Sequence, residues 1–262
     1  MFVHNINPVL FQIGNLEIRY YGLFYVLGFV IAYFMFNYLA KHRHINMDSD
    51  DVADFLVYLI VGVVLGARIV YVLVYNPLYY FSNPLEAFAV WHGGLSFHGG
   101  FLGAIAASLL FLKKIRKNGV TFYQLADITV IPLALGLSLG RIGNFINGEL
   151  AGRMTDAAWC FKFKGYDGCR HPSQLYESAK NLFIFAALWW LKDRKFHGKR
   201  LKDGTLFYLF IIMYSILRFF VEFVREPDSQ LGYFLGWLTM GQMLNVMMLL
   251  VGSVMLWRIR NK

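Results

Sequence analysis

The sequence predicts an all-α integral membrane protein in which residues 1–262 form a single domain, a bundle of about seven transmembrane helices. Three observations favour this class. The chain is 58% hydrophobic and only 16% charged, whereas soluble domains average about 25% charged residues. Its apolar residues group into stretches long enough to cross a hydrocarbon core about 30 Å thick. The six Pro and 24 Gly follow no repeating period, which excludes a fibrous class.

Seven apolar stretches account for most of the chain. We predict spans at Tyr20–Ala40, Val52–Tyr75, Leu95–Leu112, Val120–Leu139, Leu175–Leu191, Thr205–Val224 and Gly241–Trp257. The fifth is the least apolar, because Glu177 and Lys180 lie near its start, where their i,i+3 spacing allows an ion pair. Glycines four residues apart, which favour close helix contact, occur at Gly62–Gly66, Gly99–Gly103 and Gly136–Gly140.

Basic residues are divided unevenly between the two sides of this predicted bundle. The segments that follow the first, third, fifth and seventh spans contain 15 Lys and Arg, and the other set contains seven. Cytoplasmic loops are enriched in Lys and Arg, so we expect the N-terminus outside and the C-terminus in the cytoplasm. The net charge of +9 is explained in this way without a nucleic-acid partner.

A first polar cluster, Trp91–Gly100, leads into the third span. It contains His98 among four glycines. Imidazole is the side chain best suited to take a proton near neutral pH. The alternative is a histidine that is simply solvated at the membrane interface.

A second polar cluster, Gly140–Glu149, begins an outer polar loop region at about 140–172. Arg141 offers a planar fork that binds phosphate. Asn144 and Asn147 offer amides for a glycerol or ester group, and Glu149 offers a carboxylate to orient basic groups. A helix cap followed by a turn would explain the glycines and asparagines, but it explains Arg141 and Glu149 poorly.

A third cluster lies on the sixth span. Tyr214, Arg218, Glu222 and Arg225 fall within a sector of roughly 80° on a helix with 100° per residue. Such a face suits an anionic ligand, and an internally neutralised Arg218–Glu222 pair is the equal alternative. Tyr21, at the start of the first span, is most simply part of an interfacial aromatic belt.

Two arginine clusters on the predicted outer side indicate an anionic ligand at the membrane surface, and a phospholipid head group fits. The sequence has no P-loop or zinc motif, so we expect no metal and no cofactor. Cys160 and Cys169 match no metal or redox spacing. A disulfide between them is possible in an oxidising compartment but is not required.

At these residues the chain resembles the bacterial prolipoprotein diacylglyceryl transferases. The segment Gly140–Glu149 is similar to the family signature. Further family motifs are matched in the same order by Tyr21-Gly22, Leu95–Gly100, His171–Glu177, the face Tyr214/Arg218/Glu222, and Met240–Gln242. The resemblance covers essentially the whole chain.

The resemblance implies an enzyme that moves diacylglycerol from phosphatidylglycerol to the lipobox cysteine thiol of a prolipoprotein, forming a thioether and releasing glycerol phosphate. It implies a multi-pass protein of the bacterial cytoplasmic (inner) membrane, with its active site toward the outer side. Its implied catalytic residues are Arg141 and Arg218, which polarise the lipid phosphate, and His98, the candidate base. Its implied lipid-binding residues are Arg141, Tyr21, Asn144, Glu149, Tyr214 and Glu222. An arginine field that lowers the thiol pKa is the alternative to a dedicated base.

A transporter or flippase for an anionic lipid or small anion is the alternative function. It would use the same arginines for binding only and would form no thioether. A purely structural membrane subunit does not explain why polar groups converge on one side.

Overall fold

A computed structural model describes residues 1–14, 16–196, 198–226, 233–234 and 238–261. Two parts of the predicted layout therefore lie partly outside the described residues. These are the basic C-terminal segment, which includes Lys262, and the segment between Arg225 and Met240.

The described residues form eight α-helices, and each of the seven predicted spans corresponds to one of them. The helices are α1 (Tyr20–His42), α2 (Ser49–Val70), α3 (Pro77–Ser82), α4 (Phe97–Lys114), α5 (Phe122–Asn147), α6 (Ser173–Leu191), α7 (Thr205–Val221) and α8 (Met240–Asn261). Only the short α3 was not predicted. Helix α2 continues as a π-helical turn over Tyr71–Tyr75.

Among the described residues, four segments are long and apolar enough to cross a membrane, judged by length and composition. They are Tyr20–His42, Ser49–Tyr75, Phe122–Asn147 and Met240–Asn261, and the apolar helix α7 is shorter. The protein is therefore a helical, multi-pass membrane protein. The count of seven spans and the direction of the termini stay predictions.

Short two-stranded pairings accompany the helices, and an all-α description missed them. The strands are β1 (Phe2–Val3), β2 (Val9–Ile13), β3 (Leu16–Arg19), β4 (Phe161–Lys162), β5 (Lys195–Phe196), β6 (Lys199–Arg200), β7 (Tyr233–Phe234) and β8 (Leu238–Thr239). Three pairs are hairpins of neighbouring strands, whereas β1 pairs in parallel with β4. This parallel pair fixes the N-terminal arm to the segment that contains the cysteines.

The chain divides into two compact units, one formed by Met1–Ala32 with Ala126–Lys262 and the other by Tyr33–Leu125. In the second unit, α2 and α4 touch through their backbones, as their glycine spacing predicts. A Cβ added at Gly66 would lie 2.4 Å from the Gly99 carbonyl oxygen, and one added at Gly103 would lie 2.0 Å from that of Gly62. The third glycine pair, Gly136–Gly140, makes no such contact with the other elements that the structure describes.

In the first unit, a buried carboxylate organises the start of α7. Asp127 of α5 is fully buried, and its two oxygens accept hydrogen bonds from the backbone N–H groups of Gly204, at 3.0 Å, and Phe207, at 2.8 Å. The first N–H groups of a helix have no partner within the helix, so Asp127 satisfies donors that would otherwise be unpaired. This contact joins α5 to the helix that carries Tyr214 and Arg218.

Candidate active site

Helix α5 extends further than predicted and carries the second polar cluster. It ends at Asn147 rather than Leu139, so Arg141 and Asn144 lie on its final turns and not in a loop. Gly148, with φ of +68°, then turns the chain back, and the N–H of Glu149 donates to the carbonyl oxygen of Asn144 at 3.1 Å. The cluster is therefore held on a rigid element.

The side chain of Glu149 is held by two amides. The Nδ2 atoms of Asn144, at 2.7 Å, and Asn147, at 3.2 Å, both donate to its Oε1 atom. Its backbone carbonyl accepts a hydrogen bond from Gln174 Nε2 of α6 at 2.6 Å. Gln174 is part of a matched family motif, but its hydrogen bond to the backbone of Glu149 could not be predicted from the sequence.

Tyr21 packs against the same end of α5. A Cβ added at Gly143 would lie only 2.7 Å from Cδ2 of the Tyr21 ring, so the ring occupies the space of a missing side chain. The Tyr21 hydroxyl lies 3.1 Å from that of Tyr25, one turn later on α1. Tyr21 is thus a neighbour of the α5 cluster, which an aromatic-belt residue need not be.

Arg218 Nη1 and Glu222 Oε2 form the ion pair that the sequence offered as the alternative to a ligand site. A second carboxylate, that of Glu177 on α6, also lies beside Arg218, which the sequence did not predict. Glu177 Oε1 lies 3.2 Å from Arg218 Nε and 3.8 Å from Arg225 Nη1. The sequence predicted the pairing of Glu177 with Lys180 but not its tertiary contact with two arginines.

The predicted pair of Glu177 and Lys180 is confirmed, with Lys180 Nζ 2.7 Å from Glu177 Oε2. Only 3% of each side chain is exposed. The same Nζ atom lies 4.1 Å from the centre of the Tyr214 ring, a cation–π contact. Tyr214 therefore packs on the ammonium group of a buried ion pair.

Glu222 connects α7 to the start of α8. Its Oε1 accepts a hydrogen bond from Thr239 Oγ1 at 3.0 Å. Gly241 leaves room for it, because an added Cβ would lie 2.9 Å from the same oxygen. Thr239 and Gln242 exchange two hydrogen bonds that cap α8. This arrangement gives a physical role to the matched motif Met240–Gln242.

These clusters of the first unit have more cationic than anionic side chains. The cations are Arg141, Lys180, Arg218 and Arg225, and the anions are Glu149, Glu177 and Glu222. Both Arg141 and Arg218 act electrostatically on Glu177. Among the described residues, Arg141 has no carboxylate within ion-pair distance, and its one polar contact is a long 3.4 Å bond to Asn144 Oδ1. Within the same residues, the Nη2 group of Arg218 has no hydrogen-bond partner. The excess of positive charge and these guanidinium N–H groups are suited to binding an anionic ligand.

The segment between α5 and α6 is closed by a disulfide between Cys160 and Cys169. Close to this bond, the backbones of Phe161 and Arg170 exchange two hydrogen bonds of 2.9 Å. His171 follows, with its Nδ1 atom 3.3 Å from the hydroxyl of Tyr176. Burial lowers the pKa of His171 below its usual range, which favours the neutral imidazole.

His98 belongs to the second unit, where it is the second residue of α4 and is exposed. Ser96 caps this helix by accepting a hydrogen bond from the Gly99 N–H at 3.3 Å. The preceding segment is fixed by the buried Arg68, whose guanidinium donates to four backbone carbonyl oxygens, those of Glu86, Ala87, Gly93 and Gly94. The start of α4 is thus fixed by these hydrogen bonds. The role of His98 as a base stays a prediction.

In this helical membrane protein, arginine, lysine and carboxylate side chains meet at the ends of α6 and α7, and such a site is typical of membrane proteins that bind anionic ligands. Comparison with known proteins narrows this class. Residues 8–258 match the family model described as prolipoprotein diacylglyceryl transferase, and the chain belongs to this family.

Similar proteins named phosphatidylglycerol–prolipoprotein diacylglyceryl transferase include those of three bacteria. That of Geobacter sulfurreducens is 47% identical over 255 residues, which cover 96% of this chain and 94% of the relative. That of Legionella pneumophila (strain Lens) is 42% identical over 97% of both chains. That of Bordetella avium is 44% identical over 95% of this chain and 93% of the relative.

Proposed function

We propose that the protein transfers the diacylglyceryl group of phosphatidylglycerol to the lipobox cysteine thiol of prolipoproteins. The thiolate sulfur attacks the glyceryl carbon that bears the phosphate, a C–S bond forms and the C–O bond breaks. The electron pair leaves with glycerol phosphate. The single observation that carries this proposal is the pair of guanidiniums, Arg141 and Arg218, whose N–H groups are not fully used by the described residues.

The two arginines balance the charge of the leaving group. The phosphate of the lipid bears one negative charge and gains another as the C–O bond breaks. Guanidinium N–H groups that are placed against the phosphate before the bond breaks stabilise the developing charge without reorganisation. Arg218 is suited to this because its Nη1 forms an ion pair with Glu222, its Nε lies 3.2 Å from Glu177 Oε1, and Nη2 is left for the phosphate.

The remaining lipid-binding residues orient the substrate and the arginines. Glu149 holds the amide of Asn144, and Asn144 in turn contacts Arg141. Tyr21 closes the surface of α5 at Gly143. Tyr214 lies on α7 with Arg218, and Glu222, which directly follows the helix, forms an ion pair with Arg218.

His98 is the proposed base for the substrate thiol. A free thiol with a pKa of about 8.5 is mostly protonated at pH 7 and must become a thiolate to attack. An exposed imidazole at the start of α4 is available to take that proton. Arginines near the thiol favour the thiolate as well, and the two contributions are separable by the pH experiment described in the Discussion.

The protein is proposed to act as a single domain in the bacterial cytoplasmic membrane. Seven helices, all but α3, cross the bilayer, with the N-terminus and the active site on the outer side and the C-terminus in the cytoplasm. The bias of basic residues toward one set of loops supports this orientation. A disulfide in the segment between α5 and α6 agrees with an oxidising outer compartment.

The direct test uses the purified protein, phosphatidylglycerol and a lipobox peptide, with mass spectrometry as the readout. A peptide that gains one diacylglyceryl group, together with an equal amount of glycerol phosphate, is the expected result. A peptide with Ser in place of Cys is the matched control and gains no lipid. A carrier for anionic lipids, which family membership does not favour, would yield neither product.

A further inference from the structure

Lys180 is a buried cation that the proposed mechanism does not use. It lies on α6, three residues after Glu177, and 3% of its side chain is exposed. Its Nζ atom contacts two groups, the carboxylate of Glu177 and the face of the Tyr214 ring. Burying an ammonium group costs free energy that its partners must offset, so its position calls for an explanation.

The two oxygens of Glu177 are used by different partners. Oε2 lies 2.7 Å from Lys180 Nζ, whereas Oε1 lies 3.2 Å from Arg218 Nε. A guanidinium and a carboxylate usually form two parallel hydrogen bonds when both oxygens are available. Here Arg218 Nε lies near Glu177 Oε1, which accepts no hydrogen bond from the described residues, and Lys180 donates to the second oxygen.

We propose that Lys180 is a positioning residue, which prevents Glu177 from binding Arg218 through two hydrogen bonds and so keeps Arg218 Nη2 available to the phosphate of the lipid. This inference rests on the proposed function. Lys180 touches neither the lipid nor the thiol, and it acts through Glu177. Without Lys180, Glu177 Oε2 is free to bind Nη2, and the guanidinium turns from the substrate toward α6.

The test is a double-mutant cycle of Lys180→Met and Glu177→Gln, with the transfer rate measured against phosphatidylglycerol concentration. In the otherwise wild-type protein, Lys180→Met is expected to lower kcat/KM for phosphatidylglycerol about 10- to 100-fold, because small misplacement of a reacting group has effects of this size. The KM for the lipobox peptide is expected to stay unchanged. In the Glu177→Gln background, where no carboxylate competes for Nη2, Lys180→Met is expected to cause no further loss.

Two variants sharpen this cycle. Lys180→Gln still donates a hydrogen bond to Oε2, so it is expected to retain most of the activity. Lys192→Met is the matched control, because Lys192 directly follows α6, is buried beside Asp193 and lies 4.4 Å from the ring of Trp189. It lies about 18 Å along the helix from Lys180, and its variant is expected to transfer lipid at the wild-type rate.

The inference is wrong if Lys180→Met has wild-type kcat/KM for the lipid, or if it causes the same loss in both backgrounds. An equal loss would mean that Lys180 acts independently of Glu177. Failure of the proposed function looks different, since the wild-type protein itself would then form no thioether.

Discussion

The amide of Asn144 and the carboxylate of Glu149 meet where α5 ends, with Nδ2 2.7 Å from Oε1. Asn144 Oδ1 also accepts a hydrogen bond from Arg141 Nη1, at 3.4 Å. The amide thus connects a carboxylate on one side to a guanidinium on the other. The amide donates to Glu149 through Nδ2 and accepts from Arg141 through Oδ1. A change in the charge of Asn144 or Glu149 therefore disrupts this pair of hydrogen bonds.

A charge swap tests this connection. Asn144→Asp places two carboxylates in contact and removes a hydrogen bond to a charged group, so we expect the transfer rate to fall about 10²-fold. Glu149→Gln alone is expected to reduce the rate less. The double variant restores one donor, one acceptor and the original net charge, and it is expected to be faster than Asn144→Asp. A double variant no faster than Asn144→Asp would contradict the proposed connection.

The parts of this site that the sequence predicted are local ones. Arg218–Glu222 and Glu177–Lys180 are four and three residues apart, and such pairs meet on any helix. The contact of Glu177 with Arg218 joins two helices, and no spacing in the sequence specifies which helices are neighbours. The helical end of α5 was not predicted because glycine and asparagine favour turns. In the structure this segment is helical, and it contacts Tyr21 at Gly143 and Glu149 through Asn144.

The arginine pair is predicted to require guanidinium groups and not merely positive charge. An ammonium group cannot reproduce the planar fork, so Arg141→Lys and Arg218→Lys are each expected to lower the transfer rate about 10²- to 10³-fold. Arg19→Lys is the matched control, because Arg19 is an exposed residue paired with Glu17. Rates are compared at equal amounts of membrane-inserted protein. Near wild-type rates in both site variants would exclude the phosphate-binding role.

The disulfide is predicted to stabilise the protein without taking part in transfer. Replacing Cys160 and Cys169 with Ser opens a ring of ten residues, for which chain-entropy arguments give about 2–3 kcal/mol of stability. The hydrogen bonds between Phe161 and Arg170 remain, so the local fold is retained. We expect a lower unfolding temperature and a transfer rate near that of the wild type at 25 °C. Loss of activity in the folded double variant would show that the bond is needed for function.

The proposed orientation is tested with single cysteines in this disulfide-free variant. Lys117 and Met154 are both exposed, and they lie in segments proposed to face the cytoplasm and the outside, respectively. In intact cells, an impermeant thiol reagent is expected to label Met154→Cys and not Lys117→Cys. After lysis, both are expected to react. Labelling of Lys117→Cys in intact cells would reverse the proposed orientation.

The pH dependence of a His98→Gln variant separates a dedicated base from an arginine field. If His98 takes the thiol proton, the variant must rely on substrate that is already ionised, and this fraction rises with pH because the thiol pKa is about 8.5. The deficit of His98→Gln relative to the wild type is therefore expected to shrink between about pH 7 and pH 9. The deficits of Arg141→Lys and Arg218→Lys are expected to persist, because a higher pH does not replace a contact with the leaving phosphate. Initial rates of thioether formation measure all four proteins. A His98→Gln deficit that is the same at every pH would rule out the base role, and a variant with wild-type rates throughout would assign thiol ionisation to the arginines.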